Sequence, residues 1–381
     1  MFERTKKFCD SFLDIGVPGF DLAVFKGGEC VLRYMNGYSD LENKVKMKGD
    51  EKHNIYSCSK LITCTAALQL LEKGMFSLED KLSKYMPEFE NMTVKTDEGI
   101  KRAENPILIE HLFAMTAGFS YDIHSPNLIK CREETGGRCP TRETMKYLAK
   151  DPLYFEPGSR WQYSLAHDVL AALVEVLSGQ EFEDYVKKNI FDVVGMKDTT
   201  FMLSEEEIET VAPQYRFENG VATNVGKHIV DFKLGTEYAS GGAGCISTVD
   251  DYIKFLEGIR TGVLLKPETL KLMMTDMLND SIKHTYWTKE TENYGYGLGV
   301  RCPIGKKRYM DFGWGGAACA YLAVDVENEI SIYFGCHLLS SPAQGLRAKL
   351  YRFIRAELID ESEFVDIDKE LEELCEYNLT Y

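Results

Sequence analysis

At 381 residues, 44% hydrophobic and 27% charged, the chain has the composition of a globular protein able to bury a large core. Its net charge of −16 argues against nucleic acid or an anionic membrane surface as partner, because both demand clustered Lys and Arg. No apolar run is long enough to span a bilayer, the opening MFERTKKFCDSFLDIGVPG does not read as a signal peptide, and eleven irregularly spaced cysteines read as reduced thiols, so a cytoplasmic location is expected.

In chain order, residues 20–26 and 30–36 are short apolar, β-branched runs joined by Gly27-Gly28, a hairpin signal. The stretch NIYSCSKLIT, residues 54–63, leads into a helix expected over 58–73 and closed by Gly74. Cys131 and Cys139 flank a polar loop, but no other Cys or His completes a zinc spacing. The seven histidines are scattered, so neither metal nor cofactor is expected.

A Pro-Gly turn in EPGSRWQYSLAHDVL, residues 156–170, leads through Tyr163 into a helix over 165–177, with Leu165, Val169, Leu173 and Val176 at helical spacing. Further helices are expected over 250–259 and 343–357, and strands over 308–314, 319–326 and 329–336. Gly295, Gly297 and Gly299 imitate a nucleotide loop but lack its second spacing and its strand–helix setting.

Strands at both ends with helices between predict an α+β fold: an antiparallel sheet, flanked by helices, formed from both termini, with an inserted all-helical subdomain. One unit is expected over residues 1–355, its α/β part about 1–55 and 290–357 and its helical part about 56–289, followed by an acidic extension over 358–381. The cleft between the two parts is the default place for a site.

Three stretches could carry chemistry. If Ser57 begins a helix, Lys60 lies one turn later on the same face, where its amine can approach the hydroxyl. The same letters also suit an N-cap followed by a solvated lysine. Tyr163 could point its hydroxyl into a cleft as a general base or proton relay, or be an ordinary core tyrosine. Gly313, Gly315 and Gly316 beside a strand allow close backbone approach, as an oxyanion hole needs, or mark a bulge beside packed Trp314.

The order of these stretches resembles the serine β-lactamase and penicillin-binding-protein superfamily, in particular its class C β-lactamase-like branch and the family VIII carboxylesterases. The resemblance runs from about residue 17 to 355 and includes LEKGMFSLEDKLSKYMPEF (71–89), IEHLFAMTAG (109–118), NIFDVVGMKD (189–198) and SGGAGCIST (240–248). It implies Ser57 of the Ser-x-x-Lys motif as acylated nucleophile, Lys60 as its base or hydrogen-bond partner and Tyr163 as proton shuttle. Trp314-Gly315-Gly316 takes the place of Lys-Thr-Gly, and the Ala317 amide would join that of Ser57 in the oxyanion hole. Ser59 would be a bystander and His167 a surface or supporting residue.

Trp314 and Gly315 stand where β-lactamases place the lysine and threonine that surround the lactam's carboxylate, and Leu165 where they place the asparagine that grips the acyl amide. Trp314, Gly315, Gly316 and Leu165 therefore become the expected substrate-binding residues of a site suited to small esters rather than β-lactams. The expectation is a serine esterase working through an acyl-enzyme. Acyltransferase, β-lactamase or D-amino-acid amidase, and a non-catalytic binding module are the alternatives. Oligomeric state is not indicated.

Overall fold

The computed structural model describes residues 1–227, 233–288, 291, 294–305 and 310–367. Its centre is an eight-stranded sheet built from both ends of the chain. The N-terminal part supplies β1 (Gly19–Lys26), β2 (Glu29–Asp40) and β3 (Val45–Lys46). The C-terminal part supplies β4 (Tyr294–Tyr296), β5 (Arg301–Pro303), β6 (Phe312–Gly315), β7 (Tyr321–Asp325) and β8 (Ile330–Cys336). The strand order is β4-β5-β6-β7-β8-β1-β2-β3, and every neighbouring pair is antiparallel. The chain's two ends meet where β1 pairs with β8, from Phe20 opposite Cys336 to Lys26 opposite Ile330.

The β1–β2 turn uses Gly27 and Gly28 at φ +61° and +87°, the left-handed pair that matches a hairpin's twist. Residues 308 and 309 of the strand expected over 308–314 lie outside the described residues; β6 is found over Phe312–Gly315.

Both faces of the sheet are covered, which is why β8 reads as an unbroken buried run rather than an alternating one. On one face Phe20, Leu22, Val24, Ile332 and Phe334 meet α1 (Glu3–Asp14) and the C-terminal helix Leu350–Leu358. There Phe8 stacks on Phe353 with ring centroids 4.4 Å apart. The extension after residue 358 begins by folding back, with Phe364 edge-on to Phe353 and Arg355 paired with Glu363; residues 368–381 lie outside the described part.

The other face meets the middle of the chain. The helix α2 (Ser59–Glu72) is apolar nearly all round and buried along its length, so it sits inside the core rather than on a surface. It packs against α3 (Ala166–Ser178), which ends at Gly179 in the left-handed conformation. A further helix, α4 (Val249–Arg260), comes from the stretch expected to be helical but packs on the sheet, with Tyr252 stacked on Tyr333 at 4.1 Å. The inserted region is mainly helical yet also carries strands, in the hairpin Thr93–Thr96/Gly99–Arg102 and the pair Gln214–Glu218/Val221–Gly226.

Two interactions give direct tests of the packing. Buried Arg301 on β5 donates to Asp311, which also accepts from Tyr294 Oη at 2.9 Å. Asp311→Ala leaves the guanidinium buried and uncompensated, and a urea titration should show a loss of about 3–5 kcal/mol. Glu175 on α3 is buried, accepts the Phe182 amide, and burial pushes its carboxyl up to about 7. A raised carboxyl favours the fold while protonated, so this contribution is full below its ordinary value of 4.5 and is lost as pH rises through about 7. Glu175→Gln should therefore gain stability relative to the parent as thermal melts are taken from pH 4.5 to 8.

Candidate functional site

Ser57 lies in a single 3₁₀ turn, Tyr56–Cys58, that feeds directly into α2. The preceding residue, Tyr56, is held at φ +48°, a strained conformation for a residue with a side chain. Two anchors fix this turn: Tyr56 Oη bonds Gln214 Oε1 at 3.3 Å, and Tyr252 Oη of α4 donates to the Cys58 carbonyl at 2.7 Å. The Ser57 side chain does not cap either helix, and Lys60 is fully buried rather than solvated. Both parts of the bland reading of Ser-x-x-Lys thus fail.

Lys60 Nζ stands 3.4 Å from Ser57 Oγ, donates to the Gly242 carbonyl at 2.6 Å, and approaches Tyr121 Oη at 3.5 Å. It also lies 4.4 Å from the centre of the Tyr163 ring, within cation–π range. Tyr163 Oη reaches Ser57 Oγ at 2.5 Å. Serine, lysine and tyrosine, separated by up to 106 residues, therefore converge on one oxygen.

The Tyr163 ring is held from both sides. Tyr121 stacks on it at 5.4 Å and Trp314 of β6 at 6.0 Å, with interplanar angles of 7° and 20°. Tyr296 meets Trp314 edge-on at 5.2 Å, and Trp161 and Tyr286 extend the aromatic wall. Of the other aromatics, Tyr238 lies beneath the site against Asp168 and Trp287 is partly exposed.

A glycine-rich segment forms the floor. Three successive polar residues of α2 strap it down: Ser59 Oγ accepts the Cys245 amide, Lys60 donates to Gly242, and Thr63 donates to Gly241. Ser59 is thus a strut. From α3, Asp168 accepts from Ser240 Oγ at 2.7 Å and Tyr238 Oη at 3.0 Å. Burial raises its carboxyl above the ordinary range while the nearby Lys60 charge opposes that shift. Burial and the Asp168 charge together push the Tyr121 phenol well up.

His167 is also buried, not on the surface. Its Nε2 faces the Phe113 carbonyl at 3.2 Å and Cys64 Sγ at 3.7 Å, and burial, helped by the Lys60 charge, lowers it to about 3. It is therefore neutral at ordinary pH. Leu165 differs from its expected role: it is 2% exposed and packs in the main core, with its amide on the Ser120 carbonyl. Gly316, which follows Trp314 and Gly315 at the end of β6, lies beside the entry to the Ser57 turn, since a Cβ on it would come 2.5 Å from the Ile55 carbonyl.

The sequence did not single out Asp168, Gly242 or Arg347. A His-Asp pair inside the apolar run LAHDVL was the available signal for the first. Gly242 is tightly enclosed, since a Cβ there would lie 2.5 Å from Asp168 Oδ2 and 3.1 Å from Tyr121 Oη. Gly242→Ala should displace the carbonyl that holds Lys60 and slow labelling of Ser57 by a fluorophosphonate about tenfold or more, measured beside a circular-dichroism check of folding.

A family model described as Beta-lactamase matches residues 6–356. Esterase EstB of Burkholderia gladioli is 30% identical over 272 residues, covering 65% of this chain and 67% of its own. Monacolin J acid methylbutanoyltransferase of Aspergillus terreus is 27% identical over 244 residues, covering 61% and 59%. Among solved structures, EstCE1, titled a hydrolase with promiscuous acyltransferase activity, superposes with a TM-score of 0.75 at 23% identity, over 93% of this chain and 97% of that one.

Proposed function

This chain belongs to the beta-lactamase family and is a serine hydrolase, and on that basis we propose that it cleaves small carboxylic esters through an acyl-enzyme on Ser57. The observation that carries the proposal is the convergence of Tyr163 Oη, at 2.5 Å, and Lys60 Nζ, at 3.4 Å, on Ser57 Oγ. As Ser57 attacks the ester carbonyl, its proton passes to the Lys60–Tyr163 pair. Charge on the carbonyl oxygen is taken up by the amides of Ser57 and Ala317. Tyr163 returns the proton to the departing alcohol, and water, activated by the same pair, releases the acid.

The walls favour an ester over a β-lactam. Trp314 stacks against Tyr163, and neither it nor Gly315 offers the ammonium or hydroxyl that a lactam carboxylate needs in exchange for its lost water. The aromatic enclosure of Trp161, Tyr296 and Trp314 suits an apolar acyl or alcohol group. A second reading, transfer of the acyl group to an alcohol or amine acceptor, draws support from the methylbutanoyltransferase relative and from the activity in EstCE1's title.

Turnover of short- and medium-chain p-nitrophenyl esters beside a chromogenic cephalosporin tests the reading. Ester hydrolysis should dominate and should fall by about 10⁴-fold or more in Ser57→Ala, the scale of losing an activated nucleophile. Intact ester turnover in that variant, or faster cephalosporin cleavage in the parent, would contradict the assignment. Acyl groups passing mainly to added alcohol rather than water would favour the transferase.

A further inference from the structure

We propose that Arg347 is a positioning residue for the oxyanion site, gripping the carbonyl of the very peptide whose N–H faces the reacting oxygen. The inference rests on the reading of Ala317 as an oxyanion donor. Arg347 comes from a turn just before the C-terminal helix, distant in sequence from every motif residue. Its Nη1 donates to the Gly316 carbonyl at 2.5 Å and to the Ala320 carbonyl at 2.8 Å. The space for it exists because residue 315 is glycine, where a Cβ would lie 2.5 Å from Nη2 and 2.7 Å from Cζ.

Gly316 C=O and Ala317 N–H belong to one peptide unit. That unit is planar and trans, so its C=O and N–H point in opposite directions, and holding the oxygen at one end aims the hydrogen at the other. The effect is electronic as well as geometric: a charged donor on the carbonyl polarises the amide and strengthens its N–H as a donor. The same bond spans the turn, since Ala320 O, the second acceptor, also receives the Gly316 amide at 2.9 Å. The Cys319 amide takes the remaining lone pair of Gly316 O at 3.1 Å, so removing Arg347 leaves the turn one weaker anchor instead of none.

On the opposite side, Gly316 abuts the Ile55 carbonyl and Ala317 packs against the cluster containing Tyr56. The peptide is thus clamped between the guanidinium and the nucleophile's turn. An arginine is suited to this because one nitrogen of a rigid, planar guanidinium holds both carbonyls in fixed directions, whereas a lysine places its donors on a flexible stem.

The test compares an ester with its thionoester, whose sulfur is a poor hydrogen-bond acceptor and gains little from an oxyanion hole. The parent should prefer the oxo ester strongly. In Arg347→Met the oxo-ester kcat should fall about tenfold or more, with KM little changed and the thionoester rate nearly unaffected, so that the oxo-to-thiono preference collapses. Arg347→Lys, which keeps the charge but loses the rigid guanidinium plane, should fall between the two and decides the matter if the methionine variant fails to fold. Equal losses on both substrates, in whichever variant folds, would mean Arg347 only supports the fold and would overturn the proposal. A parent enzyme with no oxo preference would instead overturn the Ala317 assignment, and the role of Arg347 with it.

Discussion

The rest of this structure depends on keeping the amine of Lys60 out of water. Lys60 sits in the first turn of a helix buried on all sides, where an unaccompanied charge would be costly by many kcal/mol. Its surroundings offset that cost with the Gly242 carbonyl, the Tyr163 ring, the Ser57 and Tyr121 hydroxyls, and the more distant charge of Asp168. Each of those partners needs its own support. Ser59 and Thr63 pin the glycine segment that supplies the carbonyl, Asp168 pins its start through Ser240, and Tyr121 and Trp314 hold the Tyr163 ring between them.

That arrangement explains why the fold draws its site from distant parts of the chain. The helical region provides a dry, closed place for the lysine, and the sheet provides a rigid edge of backbone beside the serine. β6 can present its last residues to the Tyr56–Cys58 turn because glycines at 315 and 316 remove the side chains that would collide with Arg347 and Ile55. Joining β1 to β8 brings the two ends of the chain into one platform, so the C-terminal turn bearing Arg347 can brace a site whose serine lies near the N-terminus. The strained Tyr56 fits the same logic, being held by packing and two hydroxyl bonds around it.

Much of this was legible in the sequence, for identifiable reasons. The helices around 58–73 and 165–177 carried dense apolar runs and glycine stops at 74 and 179, and the paired strands at both ends carried apolar runs with turn residues between them. Ser57, Lys60 and Tyr163 stood out because their order along the chain resembled a family, and the structure brings all three together. The helix at Glu3–Asp14 escaped notice because its buried stripe of Thr5, Phe8, Cys9 and Phe12 is diluted by charge. The hairpin at 93–102 is short and mostly exposed, so its letters lacked a clear period. Arg347 and Asp168 were out of reach for another reason: their roles lie in contacts with backbone and loops far away in sequence, and no local spacing encodes such contacts.

The central claim is that a buried lysine and a clamped tyrosine make Ser57 an acyl-accepting nucleophile. The most direct measurement is intact-mass spectrometry, with peptide mapping, of the protein quenched within its first turnovers of an activated ester, in parent and Lys60→Met. The account predicts one added acyl group on the peptide containing Ser57 in the parent, and little or none in the variant over the same interval. An adduct on another residue, or equal acylation of Ser57 without the lysine, would contradict it.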